Sequence, residues 1–539
     1  MSKFNQAGLA PVSVTTTPNT VTNEGAPSFK MDYKLELYQA VVTTLFGEGK
    51  FYESGDQRAK RITRLVKRCV ENGEADFVAK LAVYTRERMY LRSIPVFLTV
   101  TLAKVIRETE GAKYEKTRAL TARVIQRADE LREMFAAAEA IFGDPKDNKV
   151  FKRVAPKALL KGMGDAFNKF DGYQFKKYSG GKGAVKFSDV MRVVHPTPES
   201  KEKSELFKQV MEGTLPAIDT WETQSAALGH AEYETEEDKA EATKTMWQDH
   251  ANNPRQGYMA KLRNLRNYLK SGVDLTNVID HLTNPLAVAK SKQLPFRFYT
   301  AYRELGGETI TSRWYHDDTD KTMGSPQLLS ALEDAFDLSV NNLPDLGDDV
   351  LIIVDQSGSM WSQVSGRSTA MCCEIGGVLG AAVWYNQVVN LGKKAMVAGF
   401  ACRGKVYNWS KRTSSLSAAK QMMNTNLGGS TRINTAWQAA KDAGLTPSTI
   451  VVLSDMQMTG GDNDYWGAYD NIMNPEDYGL ADANTLKISV NLQGYDNTPL
   501  AVNNGWYQIA GWSDKIFDVI EAMKNPGDAV NVILNDIDI

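Results

Sequence analysis

From about residue 32 to residue 335 apolar side chains recur at helical spacing, with short breaks at Gly and Pro and few stretches that alternate as strands do. Between Gln57 and Val70, residues Ile62, Leu65, Val66 and Cys69 fall at i, i+3, i+4 and i+7 and define one buried face. The opposite face is left to Arg58, Lys60, Arg61, Lys67 and Arg68. A second helix, Lys261 to Lys270, turns Leu262, Leu265 and Leu269 inward and sets Arg263, Arg266 and Lys270 on a neighbouring stripe. Serial amphipathic helices joined by short loops predict an α-solenoid of stacked helix pairs, although no strict sequence period accompanies them.

After Leu343-Pro344-Asp345 the texture changes. Val350–Val354, Ala395–Ala401, Thr449–Leu453 and Leu486–Leu492 read as strands, and 368–390, 415–424, 433–443 and 514–524 as helices. That alternation predicts a parallel sheet covered on both faces, a doubly wound α/β domain. Residues 1–29 carry Pro11, Pro18 and Pro27 among Thr, Ser, Asn and Val, too little apolar surface to order itself, and are expected to be a flexible tail. The predicted organisation is thus a tail (1–29), a helical domain (30–340) and an α/β domain (345–539), with a solvated acidic insertion at 199–241. A chain of 539 residues agrees, since one hydrophobic core does not usually serve that length.

Composition changes this picture at two points. The net charge of −2 hides an asymmetry: residues 341–539 hold 13 Lys and Arg against 20 Asp and Glu, so the earlier part is net basic and the two parts should meet different partners. Cys69, Cys372, Cys373 and Cys402 show no C-x-x-C spacing, which argues against zinc and for a reducing compartment. No basic n-region precedes an apolar stretch at the N-terminus, and no segment offers ~18 uninterrupted apolar residues. A soluble, cytoplasmic protein without a membrane partner is expected.

Candidate chemistry concentrates behind the first α/β strand. Asp355-Gln356-Ser357-Gly358-Ser359 follows Leu351–Val354, so an acid and two hydroxyls emerge where doubly wound sheets bind ligands. Gly428-Gly429-Ser430-Thr431, before a helix, and Ser454-Asp455, after a strand, would converge on the same crevice. Asp355, Ser357, Ser359, Thr431 and Asp455 form an all-oxygen set suited to a hard divalent cation, Mg²⁺ or another such as Mn²⁺. Hydroxyls are weak neutral ligands and leave the cation Lewis-acidic, with a position open to an acidic group of a partner. An Asp capping a helix beside satisfied serines would read the same way if it stood alone. With all three pieces in order the set resembles the metal-ion-dependent adhesion site of a von Willebrand factor type A domain; Gln356 departs from the small apolar residue common at its position.

Between Pro145 and Arg192, 12 Lys and Arg face 4 Asp and are interleaved with Phe151, Phe167, Phe170, Tyr173, Phe175, Tyr178 and Phe187. Positive charge neutralises phosphates and aromatic faces stack on unpaired bases, which suits RNA. A lysine-rich solvated face over an aromatic core would have the same composition.

Leu262–Lys270 with Leu294-Pro295-Phe296-Arg297-Phe298-Tyr299-x-Ala301-Tyr302-Arg303 resembles the signature of the TROVE module of Ro ribonucleoproteins and their bacterial and phage relatives. Leu45–Gly49 with Tyr52, Lys177-Tyr178 leading to Asp189–His195, Asn491–Tyr495 and Gly511–Asp514 are further matches. The resemblance implies a monomeric ring of HEAT-like helical repeats closed by the type A domain. It implies single-stranded ends of misfolded RNAs in a basic central hole, Y-type small noncoding RNAs on an outer basic surface, and association with an exoribonuclease such as polynucleotide phosphorylase. Carried over by position, Lys177, Lys182 and His195 match the Y-RNA-facing segment; Ser179-Gly180-Gly181 reads as a local insertion beside Lys182. Arg263 and Arg266 are the candidates for the hole.

The leading expectation is a non-catalytic RNA-binding scaffold; the alternative is a Mg²⁺-dependent protein-binding adaptor working through the type A domain. An enzyme finds little support: the sequence has no G-x-x-x-x-G-K-[ST] phosphate loop and no recognisable nucleophile grouping. Asp317-Asp318-Thr319-Asp320 reads as a solvated acidic loop rather than a nuclease metal cluster.

Overall fold

The computed structural model describes residues 18–44, 50, 52–143, 155–179, 185–218, 220–291, 293, 295–306, 324–365, 368–459, 474–511, 523 and 529–539. The chain divides into two compact units: Met1–Met31, Lys50–Tyr52 and Thr220–Asp528 in one, and Asp32–Gly49, Glu53–Asp219 and Ala529–Ile539 in the other. The fold class is the expected one, helices followed by a mixed, mostly parallel sheet with helices.

The second unit is helical where described. Its helix Gly55–Glu71 starts with a capping box, Gln57 N donating to Ser54 Oγ (3.2 Å) and Ser54 N to Gln57 Oε1 (2.8 Å). Ile62, Leu65, Val66 and Cys69 are buried as expected. Arg58 and Arg61 correct the expectation of a solvated face, for both are buried. Glu53 takes Arg58 Nε at 2.9 Å and Arg61 Nε at 2.8 Å, and Glu36 takes Arg61 Nη1 at 3.2 Å. The paired acids offset much of the desolvation cost of burying the two guanidinium groups. The helix Ala529–Asp536 belongs to this unit, with Ala529, Val530 and Ile533 buried.

In the first unit the strands are β1 (Thr20–Val21), β2 (Pro27–Lys30), β3 (Asp349–Asp355), β4 (Gln363–Ser365), β5 (Ser368–Met371), β6 (Lys394–Phe400), β7 (Gly404–Tyr407), β8 (Thr449–Ser454), β9 (Leu486–Asn491), β10 (Asn497–Thr498) and β11 (Trp506–Ala510). The main sheet runs β11-β9-β8-β3-β6-β7, parallel except for the antiparallel pair β6·β7. Alternate residues of the central strands face opposite layers. Leu351, Ile353, Ile450 and Val452 pack with Ile433, Ala436, Trp437 and Ala440 of the helix Ile433–Asp442. On the other face lies the helix Cys372–Tyr385, where a Cβ at Gly380 would come within 2.8 Å of Val354 Cγ2, so glycine permits the close approach. From β3 the chain adds β6 on one side and later β8 on the other, which opens a crevice at the carboxyl ends of β3 and β8.

Three local expectations change. The described part of the stretch 1–29, assigned by composition to a flexible tail, holds β1 and all of β2 but its last residue, and β2 pairs with β10. The stretch Lys261–Lys270 is two helices, Tyr258–Arg263 and Leu265–Lys270, because Asn264 sits between them at φ −100°, ψ 7° and its Nδ2 donates to Ala260 O at 2.9 Å. The stretch 368–390 begins as β5 and becomes α-helical only at Cys372. The expected helix 514–524 lies outside the described residues apart from Met523.

Candidate functional site

β3 delivers Asp355 to the crevice wholly buried. Its Oδ1 accepts from Ser357 N at 2.9 Å, which turns the chain sharply, and its Oδ2 accepts from Ser454 Oγ at 2.5 Å. The turn brings Ser357 Oγ and Ser359 Oγ within 3.4 Å. Gly358 N donates to Gly429 O at 2.8 Å, and a Cβ at Gly358 would stand 3.3 Å from that oxygen, so the loop is drawn against Gly428–Thr431. Thr431 is buried there and bound on both sides to Thr459, N to Oγ1 at 2.9 Å and O to the Thr459 N at 2.9 Å. Asp455, next after β8, is wholly buried; its Oδ1 accepts from Gln457 N at 3.1 Å, and Met456 adopts φ 63° to make the turn.

Asp455 Oδ2 is buried and has no hydrogen-bond partner among the described residues. Burial raises the pKa of both carboxyls, and the charge of Asp355 raises that of Asp455 further, opposed by the hydroxyls of Ser454 and Ser357 at Asp355 and of Ser359 at Asp455. An orphaned carboxylate oxygen beside a second acid and a cluster of hydroxyls fits a divalent cation, which would neutralise both. Among the described residues no three His, Cys, Asp or Glu cluster; the acids of the crevice are the two carboxylates Asp355 and Asp455, with neutral hydroxyls beside them. Gln356 turns away from the set, its Nε2 donating to Met422 O at 2.7 Å. Ser454, which orients Asp355, was named in the sequence only as a neighbour of Asp455; its Oγ bond is the work of β3·β8 register.

The basic candidates separate. Lys177 and His195 lie in the Glu53–Asp219 segment of one unit, Arg263 and Arg266 in the Thr220–Asp528 segment of the other. Lys177 is exposed, its Nζ 5.7 Å from the Tyr173 ring centre and 6.0 Å from that of Tyr178. His195 is an exposed left-handed cap, φ 48°, on the helix Phe187–Val194. Lys182 lies outside the described residues. Phe167, Phe170, Phe175 and Phe187 are buried and packed ring to ring at 5.2 to 6.0 Å, so these aromatics are core and not base-stacking faces.

Arg263 is exposed and Arg266 half-buried. Arg297, on the helix Pro295–Glu304, is exposed like Arg263, with its Cζ 5.0 Å from the centre of the Phe296 ring. Neither Arg263 nor Arg297 has a carboxylate partner among the described residues. Lys261 is buried and satisfied by Ala251 O at 2.8 Å, so the face is set by the two arginines.

Residues 230–309 match the TROVE domain family model, a span that holds Arg263, Arg266 and Arg297. The chain is similar in structure to the Ro (RSR) protein of Deinococcus radiodurans, with 18% identity over 93% of this chain and 99% of that one and a TM-score of 0.56. No curated protein matches the sequence. The chain thus carries a TROVE match on a Ro-like fold.

Proposed function

We propose that this chain, with its TROVE segment and Ro-like fold, is a non-catalytic RNA-binding scaffold that holds small noncoding RNAs of the Y type and unpaired ends of misfolded RNAs. The observation that carries the reading is the TROVE match over residues 230–309, within which Arg263 and Arg297 are both exposed, a cationic surface of the kind a polyanion's phosphates neutralise. Shape more than sequence would be read.

The crevice of β3 and β8 is read as the metal-ion-dependent adhesion site of a von Willebrand factor type A domain, with Ser357, Ser359 and Thr431 as hydroxyl ligands and Asp355 and Asp455 holding Mg²⁺ directly or through water. When bound, the cation supplies a Lewis-acidic dock for a carboxylate. The orphaned Asp455 Oδ2 favours, as a second activity, Mg²⁺-dependent capture of a protein partner.

Fluorescence anisotropy with a structured small RNA and a single-stranded RNA tests the first reading. Binding of both should weaken steeply as salt rises, and D355A should bind them as the parent does while losing cation-dependent protein capture. Salt-independent binding, or no binding of either RNA, contradicts it.

A further inference from the structure

The segment after residue 340 is net acidic, yet from Ile375 to Lys441 it holds nine Lys and Arg and no Asp or Glu. Three of the nine are held locally. Lys393 Nζ lies 2.6 Å from Asp345 and 3.1 Å from Asp348; Arg403 Nη2 donates to Asn426 O at 3.0 Å; Lys420 Nζ stands 4.2 Å from the centre of the Tyr302 ring. Lys405, Lys411 and Arg412 differ: all three are exposed, and none has an ion-pairing acid among the described residues. The acids that meet this part of the chain, Glu333 and Asp337 of the helix Pro326–Ser339, accept instead from Ser414 Oγ at 2.7 Å and Ser415 N at 3.1 Å, where the helix Ser415–Met423 begins.

Lys405 lies on β7, the end strand of the main sheet, which pairs only with β6 among the described strands. A lysine on an edge strand ordinarily does no more than keep two edges from joining. Here two further cations follow along a stretch of chain that spans at most about 25 Å, and no acid balances them. The aromatic residues beside them are already engaged. Tyr407 is buried; Trp409 stacks on it at 5.5 Å with 19° between the rings, meets Trp384 at 5.1 Å and gives its Nε1 to Gln421 Oε1 at 3.1 Å. The stretch therefore offers charge without a ring face for an unpaired base. It also exposes no large apolar side chain from Gly404 to Thr413, whereas protein interfaces are built around buried apolar and aromatic anchors. A duplex fits both facts, since its bases stack on one another and its phosphates are what it presents.

We infer that Lys405, Lys411 and Arg412, on β7 and the turn that follows it, form a second RNA surface that grips the phosphate backbone of double-stranded RNA. The inference rests on the RNA-scaffold reading above and adds to it a division of the ligand. Paired parts of a structured RNA are held at the sheet edge through their backbone, without regard to sequence, and single strands gain little there because no base can stack.

The test uses the full chain in anisotropy titrations with three labelled probes, a blunt RNA duplex, a single-stranded RNA and polyglutamate, each at several salt concentrations. K405E/K411E/R412E, a change at exposed positions, should bind the duplex at least roughly tenfold more weakly than the parent. Its slope of log affinity against log salt should fall by about 2.7, taking the B-DNA value of about 0.9 for each of three lost phosphate contacts. Single-stranded RNA should bind this variant as it binds the parent. K405R/K411R/R412K keeps the charges and should bind the duplex as the parent does, which separates lost charge from a damaged sheet edge. Equal duplex affinity and slope in the parent and K405E/K411E/R412E overturn the inference while leaving the scaffold reading standing, as does a parent that binds the single strand and not the duplex. Polyglutamate binding that is lost in K405E/K411E/R412E while duplex binding is unchanged assigns the surface to an acidic protein and overturns it too. A parent that binds neither RNA removes the scaffold reading and this inference with it.

Discussion

Asp355 and Asp455 are two acids placed out of reach of water with hydroxyls, not bases, around them, and this sets how the site should respond to pH. Their pKa values in the folded state are raised, so each keeps its proton to a higher pH than in the unfolded chain. The cation-free protein is then penalised as pH rises from the unfolded value to the folded one, and cation binding must expel whatever proton is held. Mn²⁺ affinity should accordingly climb between pH 5.5 and 8, by up to about tenfold per pH unit for each proton released, and level off above the higher value. Calorimetry across that range checks it, and an affinity independent of pH would contradict the account. That Asp355, Ser357 and Ser359 would lie together at the carboxyl end of β3 was legible because D-x-S-x-S directly follows an apolar strand. The Ser454 bond to Asp355 and the orphaned Asp455 oxygen were not, since both depend on which strands lie side by side. Arg297 entered the sequence signature without a role, because the sequence alone does not tell an exposed arginine from one paired to an acid.

At the level of elements, buried parallel strands and amphipathic helices were readable from periodicity, and Val350–Val354 became the central strand β3. What failed was short or held by distant partners. β1 and β2 have little apolar surface of their own and are ordered by β10 and by the loop at Gln457–Thr459. The break at Asn264 came from a side chain competing for the backbone. A further long-range feature joins the helix Pro295–Glu304, part of the TROVE match, to the helix Cys372–Tyr385: buried Glu374 receives Arg303 Nη1 at 2.9 and 3.0 Å, Tyr299 Oη at 3.0 Å and Met371 N at 2.8 Å. Even so, burial leaves the Glu374 pKa raised. Removing Arg303 as R303A strands that charge and should cost about 3–5 kcal/mol at pH 8. Because the raised group takes up its proton as pH falls, the deficit should shrink by pH 5, and E374Q should cost less than R303A at pH 8. Thermal melts at the two pH values decide this; a deficit of equal size at both would show that the charge is not its source.

For the whole molecule, the segment before residue 341 is net basic and contains the TROVE match, and the later one is net acidic and contains the cation candidate. The two compact units do not follow that linear division, since residues 18–30 and 220–339 gather with the sheet and 529–539 with the helices of 53–218. For residues 18–30 and 529–539 sequence order could not reveal this, because these segments are short and are ordered by partners hundreds of residues away. No helix among the described residues is long and apolar enough to cross a membrane. The central claim is that RNA is held through the Arg263 and Arg297 face. It is tested most directly by anisotropy titration of a single-stranded RNA at several salt concentrations with the parent, R263E/R297E, and K411E/R412E, a reversal of equal charge at exposed positions outside the TROVE match. R263E/R297E should bind at least roughly tenfold more weakly, and the slope of log affinity against log salt should fall by about 1.4, the value for two lost single-strand phosphate contacts, while K411E/R412E stays close to the parent. Equal affinity and equal slope for the parent and R263E/R297E would contradict the account.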